Sequence, residues 1–123
     1  MVNIKVTGIN KVSALLIMKN KAALTAVSAG VKQAGFYVEG KVKDSIAGKK
    51  AEPKSVDTGR FLSSVQTKTP KPMVVVVESE VEYGQVLEHG GTNRPARKHF
   101  GNTAAREKDK VSEFINNKIK AVI

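Results

Sequence analysis

Cysteine is absent from this chain, which excludes disulfide staples, thiol catalysis and cysteine-ligated zinc. Tryptophan is absent too, and aromatics make up only 5%, so a core must be built mostly from Val, Ala, Ile and Leu. Long apolar runs are lacking. The longest, Ala14 to Met18, is far too short to cross a bilayer. The start, MVNIKVTGIN, has no basic segment followed by an apolar stretch and a small-residue cleavage site, so neither a signal peptide nor a membrane partner is expected. Acidic residues are scarce: 11 Asp and Glu stand against 21 Lys and Arg, a formal charge of +10. That balance favours polyanions and anionic surfaces, although plain solubility is the bland reading.

What is present reads as one domain, residues 1–123, apolar enough at 41% hydrophobic residues to fold. NIKVT, Asn3 to Thr7, alternates like a short strand and stops at Gly8. Leu24, Val27, Val31, Ala34, Val38 and Val42 recur every three or four residues and define one face of a long helix. Val12 to Met18 is either an earlier turn of it or a separate short helix. Gly30, Gly35 and Gly40 weaken that helix unless another element packs closely on them. Their spacing of five does not make one groove. AGKKAEPKSV, Ala47 to Val56, is a small, basic loop whose order the sequence leaves open.

Asp57 and Thr58 offer N-cap chemistry for a short helix over Gly59 to Val65, with Gly59 allowing a tight entry. A hairpin follows: Gln66 to Thr69, a turn at Thr69-Pro70-Lys71-Pro72, then MVVVV, Met73 to Val77, whose continuous apolar run predicts burial on both faces. Glu78 and Glu80 read as a solvated strand face. Tyr83 to His89 predicts a short helix stopped by Gly90, and Asn102 or Thr103 would cap a last helix whose stripe is Ala104, Val111, Ile115 and Ile119. The pattern is α+β: a long N-terminal helix packed on a small, mainly antiparallel sheet, with a C-terminal helix.

Chemistry is thin. His89, His99 and Glu88 can be forced into a three-ligand metal-hydrolase set, but no spacing motif supports it. Ser63 and Ser64 sit in a helical pattern, not a nucleophile elbow. Gly90-Gly91 lacks the Lys-Ser/Thr of a phosphate loop. No catalytic, cofactor or metal residue is assigned. Arg94, Arg97 and Lys98 form a basic loop without an aromatic stacking platform, so a nucleic-acid-binding protein is the alternative, one whose DNA affinity would fall steeply with salt. The preferred class is protein assembly. The double glycine and Pro95 make an extended segment in which Arg94 and Arg97 offer forked donors to carboxylates. Phe100 would anchor in an apolar pocket, its own or a neighbour's.

Two patches, VDTGRFLSSV and VEYGQVLEHGGTNRPARKHF, carry a resemblance in their order and spacing. Thr58-Gly59-Arg60 with Leu62, then Tyr83, Glu88 and Gly90, then Pro95-Ala96-Arg97 and Phe100, are similar to the small neck or tail-completion (head-tail joining) proteins of long-tailed bacteriophages and prophages. His89 stands where an aromatic is usual, and Lys98-His99 lengthens the link to Phe100. The resemblance implies a non-enzymatic virion protein without cofactor, present in the host cytoplasm during assembly. It implies a self-associating ring, sixfold favoured, that meets other neck or tail proteins and touches channel DNA non-specifically. Subunit contacts then fall to Arg94, Pro95, Arg97, Lys98 and Phe100. Asp57, Thr58, Gly59 and Arg60 would form the structural turn and cap, and Arg60 would pair with Glu88.

Overall fold

The computed structural model describes residues 2–7, 21–56, 59–71, 73–91, 93 and 95–120, with side chains from 25 onward in the long helix and excepting 119. Expectations on Val12 to Met18, Asp57, Thr58 and Arg94 fall outside the described residues. The elements are β1 (Val2–Thr7), α1 (Lys21–Ile46), α2 (Arg60–Ser64), β2 (Gln66–Lys71), β3 (Val74–Ser79), α3 (Glu82–His89) and α4 (His99–Lys120). This is the α+β arrangement the periodicities predict.

The sheet is antiparallel with order β1-β3-β2. Val2 pairs with Ser79 and Thr7 with Val74, and on the other side Gln66 pairs with Glu78. One face packs on the valine stripe of α1, where Val27, Val31, Ala34, Val38 and Val42 are all buried. Helix α4 packs along α1 as well, bringing Val111 and Ile115 to the same core. Short aliphatic side chains suit this: sheet and helices approach closely, and Phe61 and Phe100 fill the widest space at one end.

Three strand expectations need correction. MVVVV is not buried on both faces: Val75 and Val77 are sealed against α1, whereas Val74 and Val76 on the opposite face are only half-buried. The described part of the hairpin's first arm continues through Thr69 and Pro70 to Lys71, with the register slipping between Lys68 and Lys71. An edge strand tolerates Pro70 because one row of its backbone donors needs no partner. Glu78 is not solvated. It is buried beside the Lys68 ammonium at 2.6 Å, while Glu80 stays exposed.

The helix glycines divide between two neighbours. Gly30 lies against Lys118 of α4, and Gly35 lies against Val75 and Thr67 of the sheet, whereas Gly40 faces open space. A methyl group at Gly35 would overlap the Val75 side chain, which is stiff at its β-branch. Gly35→Ala should therefore destabilise by about 1–3 kcal/mol despite its better helix propensity. Gly40→Ala should stabilise by about 0.5–1 kcal/mol. Urea unfolding of the two variants checks the opposite signs.

Candidate functional site

Glu88, Gly90, Arg97 and Phe100 collect at one end of the molecule, where α3 and the start of α4 meet the 47–56 loop. Helix α3 ends at Gly90, whose φ of 81° a side chain would resist, and its amide donates to the Val86 carbonyl. The chain then turns back. The Arg97 amide donates to the Leu87 carbonyl at 2.7 Å, and Lys98 adopts a positive φ of 52° before α4 begins.

Glu88 secures that turn. It is buried, and its two oxygens accept from the backbone amides of Phe100 and Gly101 at 2.8 and 2.9 Å. These amides belong to the first turn of α4, where helix donors otherwise lack partners and negative charge is favoured. Glu88 is thus the N-terminal cap of α4, supplied from another helix. The expected cap at Asn102 or Thr103 is incorrect: α4 starts at His99, and Thr103 is buried inside it. The expected Arg60–Glu88 pair is not what holds Glu88: both of its oxygens are taken by the α4 amides, and Arg60 is exposed on α2. Glu88→Gln should cost about 1–2 kcal/mol. The check is amide hydrogen exchange, which should accelerate at Phe100 and Gly101 first.

Beneath the turn runs a buried polar network. Ser45 Oγ donates to Glu52 Oε1 at 2.5 Å, so its oxygen must accept from His99 Nδ1–H at 2.8 Å. His99 Nε2 then accepts from Ser55 Oγ at 2.7 Å, and Ser55 Oγ accepts from Arg97 Nη1 at 2.8 Å. Arg97 Nη1 also donates to the Lys54 carbonyl at 2.9 Å. Burial of the His99 ring pushes its pKa below 6.5 and keeps it neutral, as this chain of donors and acceptors requires. Glu52 accepts the two-pronged fork of Arg106 at 2.7 and 2.8 Å and the Asn102 amide at 3.1 Å. These bonds hold its pKa at about 2 against the opposing effect of burial.

The 47–56 loop, whose order the sequence left open, is therefore tied down. The Ser55 amide donates to the Ile46 carbonyl at 2.7 Å, and Glu52 and Ser55 lock it to α4 and to Arg97. Although Ser55 and His99 stand at the distance of a nucleophile and its base, the histidine is wholly buried and the network braces three chain segments. His89 is exposed, His99 binds two serines and Glu88 binds two amides, so these three groups serve separate purposes.

The structure separates the predicted contact residues. Phe100 is 1% exposed in its own core and is not an anchor held out to a partner. Arg97 is half-buried and bound to the 54–55 backbone and hydroxyl, whereas Pro95 and Lys98 are exposed. Gly59 precedes α2 with φ 80°, occupying the cap position that was expected of Thr58. Beside the loop lies an open groove of about 680 Å³ between residues 54–56 and 59–61 on one side and α3 on the other. Composition carried one overlooked signal for the network: Glu52 is the only carboxylate in a basic ten-residue loop.

Comparison with protein families matches residues 16–90 to the HK97-gp10-like family, described as "Bacteriophage HK97-gp10, putative tail-component". That span exceeds half of the chain. The chain belongs to the HK97-gp10-like family. No curated protein and no solved structure matches. The matched segment of this HK97-gp10-like protein holds α1, the sheet strands β2 and β3, and α3 with Glu88, so it contains the helix that caps α4 but not α4 itself. The protein is a structural component of a phage tail and belongs in the virion among other tail proteins. Among the described residues, no helix is long and apolar enough to cross a membrane.

Proposed function

We propose that this tail component acts as a single-domain neck or tail-completion subunit at the joint between the DNA-filled head and the tail. Copies assemble head-to-tail into a closed ring, sixfold favoured, through the exposed 91–98 loop. The subunit is synthesised and assembled in the host cytoplasm. The observation that carries the reading is the family match to a tail component in a chain whose turn after α3 is exposed and anchored at Arg97. Gly91, Asn93, Pro95, Ala96 and Lys98 are open to solvent, while Glu88 and Arg97 hold the segment in place behind them. Anchoring of its Arg97 end reduces the entropy such an exposed loop loses on docking. Arg94 joins the proposed contact set by its chemistry alone.

Two further observations support assembly. The valine-rich core is small, so burying surface against copies adds stability. Ring closure requires a heterologous contact, which a loop meeting a different face of its neighbour provides. The charge of +10 supports non-specific contact with DNA in the channel.

Electron cryomicroscopy of particles, with and without the gene, tests the proposal. Ring density accommodating this fold at the head–tail joint is the expected result, as is accumulation of filled heads and separate tails in the deletion. Density elsewhere in the tail, or joined particles in the deletion, would overturn the junction role.

A further inference from the structure

The groove beside the loop is chemically lopsided. Phe61, Tyr83, Val86 and Leu87 supply one end, with Tyr83 41% and Val86 44% exposed despite their size. Lys54, Arg60 and Arg97 supply the other, with Ser55 between them. No carboxylate of the described residues lines it. The apolar end is held in shape from behind: the Phe61 ring stands edge-on to Tyr83 and to the buried His99, at 5.9 and 6.1 Å between centroids. The basic end is held too. Arg97 Nη1 is fixed by the Lys54 carbonyl and Ser55 Oγ, which leaves the rest of the guanidinium fork without a protein acceptor among the described residues.

We infer that this groove receives an acidic, apolar peptide segment from a different virion protein. Aliphatic or aromatic side chains of that segment lie on Tyr83 and Val86, and a neighbouring carboxylate takes the open side of the Arg97 fork. The inference rests on the tail-component reading and reverses the direction expected from sequence: this end of the protein accepts a segment rather than inserting Phe100. Charge selects the occupant. A second copy, also at +10, would bring a like-charged surface to the basic end, whereas an acidic partner is attracted and steered to it. Exposed apolar side chains next to a pre-positioned arginine meet both halves of such a segment at once.

The test is selection from a random heptapeptide library displayed on a carrier and panned on the purified protein, with Val86→Glu as the counter-selection target. Val86 is surface-exposed, so that variant should keep its fold, which circular dichroism verifies. The expected consensus places Asp or Glu within two residues of Leu, Ile, Phe or Trp. A synthetic peptide of that consensus should bind at least tenfold more weakly to Val86→Glu and about fivefold more weakly to Arg97→Gln. It should also bind at least tenfold more weakly when its acids are replaced by their amides, and its amide-shift footprint should fall on Ser55, Tyr83, Val86 and Arg97. No enrichment over the counter-selection, an acid-free consensus, or a footprint on α4 would overturn it. So would displacement of the peptide by a twelve-base-pair duplex at equal affinity, or the same footprint produced by raising the protein's own concentration. If the particle experiment places the protein at the joint while this selection fails, the groove assignment falls and the function stands. If the selection succeeds while the protein lies elsewhere in the tail, the reverse holds.

Discussion

Phe100→Ala should lower the free energy of unfolding by about 3–5 kcal/mol in the isolated protein, with no partner present. The side chain is 1% exposed and packs in the cluster of Val38, Val42, Ile46, Phe61 and Val77, so its loss leaves a cavity those short aliphatic groups cannot close. A domain of this size has a total stability of about 5–15 kcal/mol, so the variant should be largely unfolded at temperatures the parent tolerates. Urea denaturation reads the shift in midpoint. A variant as stable as the parent but unable to assemble would return Phe100 to the role of an intersubunit anchor. Because Phe100 also carries one of the amides that Glu88 caps, the start of α4 should loosen with it.

Glu52→Gln should cost about 2–3 kcal/mol, below the range for a fully enclosed ion pair because the Arg106 side chain remains 34% exposed. The carboxylate accepts from Arg106 twice, from Ser45 and from Asn102, and an amide cannot accept all of these. A cycle with Arg106→Met should recover part of the loss, since removing both partners leaves no uncompensated charge. The same site sets the acid response. With a folded pKa of about 2 against the ordinary 4.5, Glu52 contributes stability that is complete above pH 4.5 and disappears as pH falls toward 2. Burial lowers the His99 pKa below 6.5, so the folded state binds its proton less readily than the unfolded chain, and stability also declines as pH drops beneath 6.5. Thermal unfolding across pH should show an early decline from His99 and a later one from Glu52. Glu52→Gln should flatten the second.

Where one short-range rule decides the outcome, the sequence was legible. The period of Val27, Val31, Ala34, Val38 and Val42 has no reading except a helix face, and all five are buried. Gly90 stops α3 with a positive φ, as its lack of a side chain permits. The strand NIKVT is present with one more residue at its start, and the family resemblance drawn from Gly59, Tyr83, Glu88 and Gly90 agrees with the family match over 16–90.

Sequence alone thus determined the α+β class, the apolar stripe of α1 and the membership of a phage tail family, because periodicity and motif order are local properties of the chain. Tertiary structure alone decided what the polar residues do. Glu88 became a helix cap, Glu52 the hub of a buried network and Arg97 a brace, since their partners lie between 7 and 54 positions away. It also decided that Phe100 points inward, because the space it fills exists only once α1, α2 and β3 have been brought together. A carboxylate or a phenyl ring has the same letter in either role; only the groups that surround it after folding set the dielectric and the donors it meets.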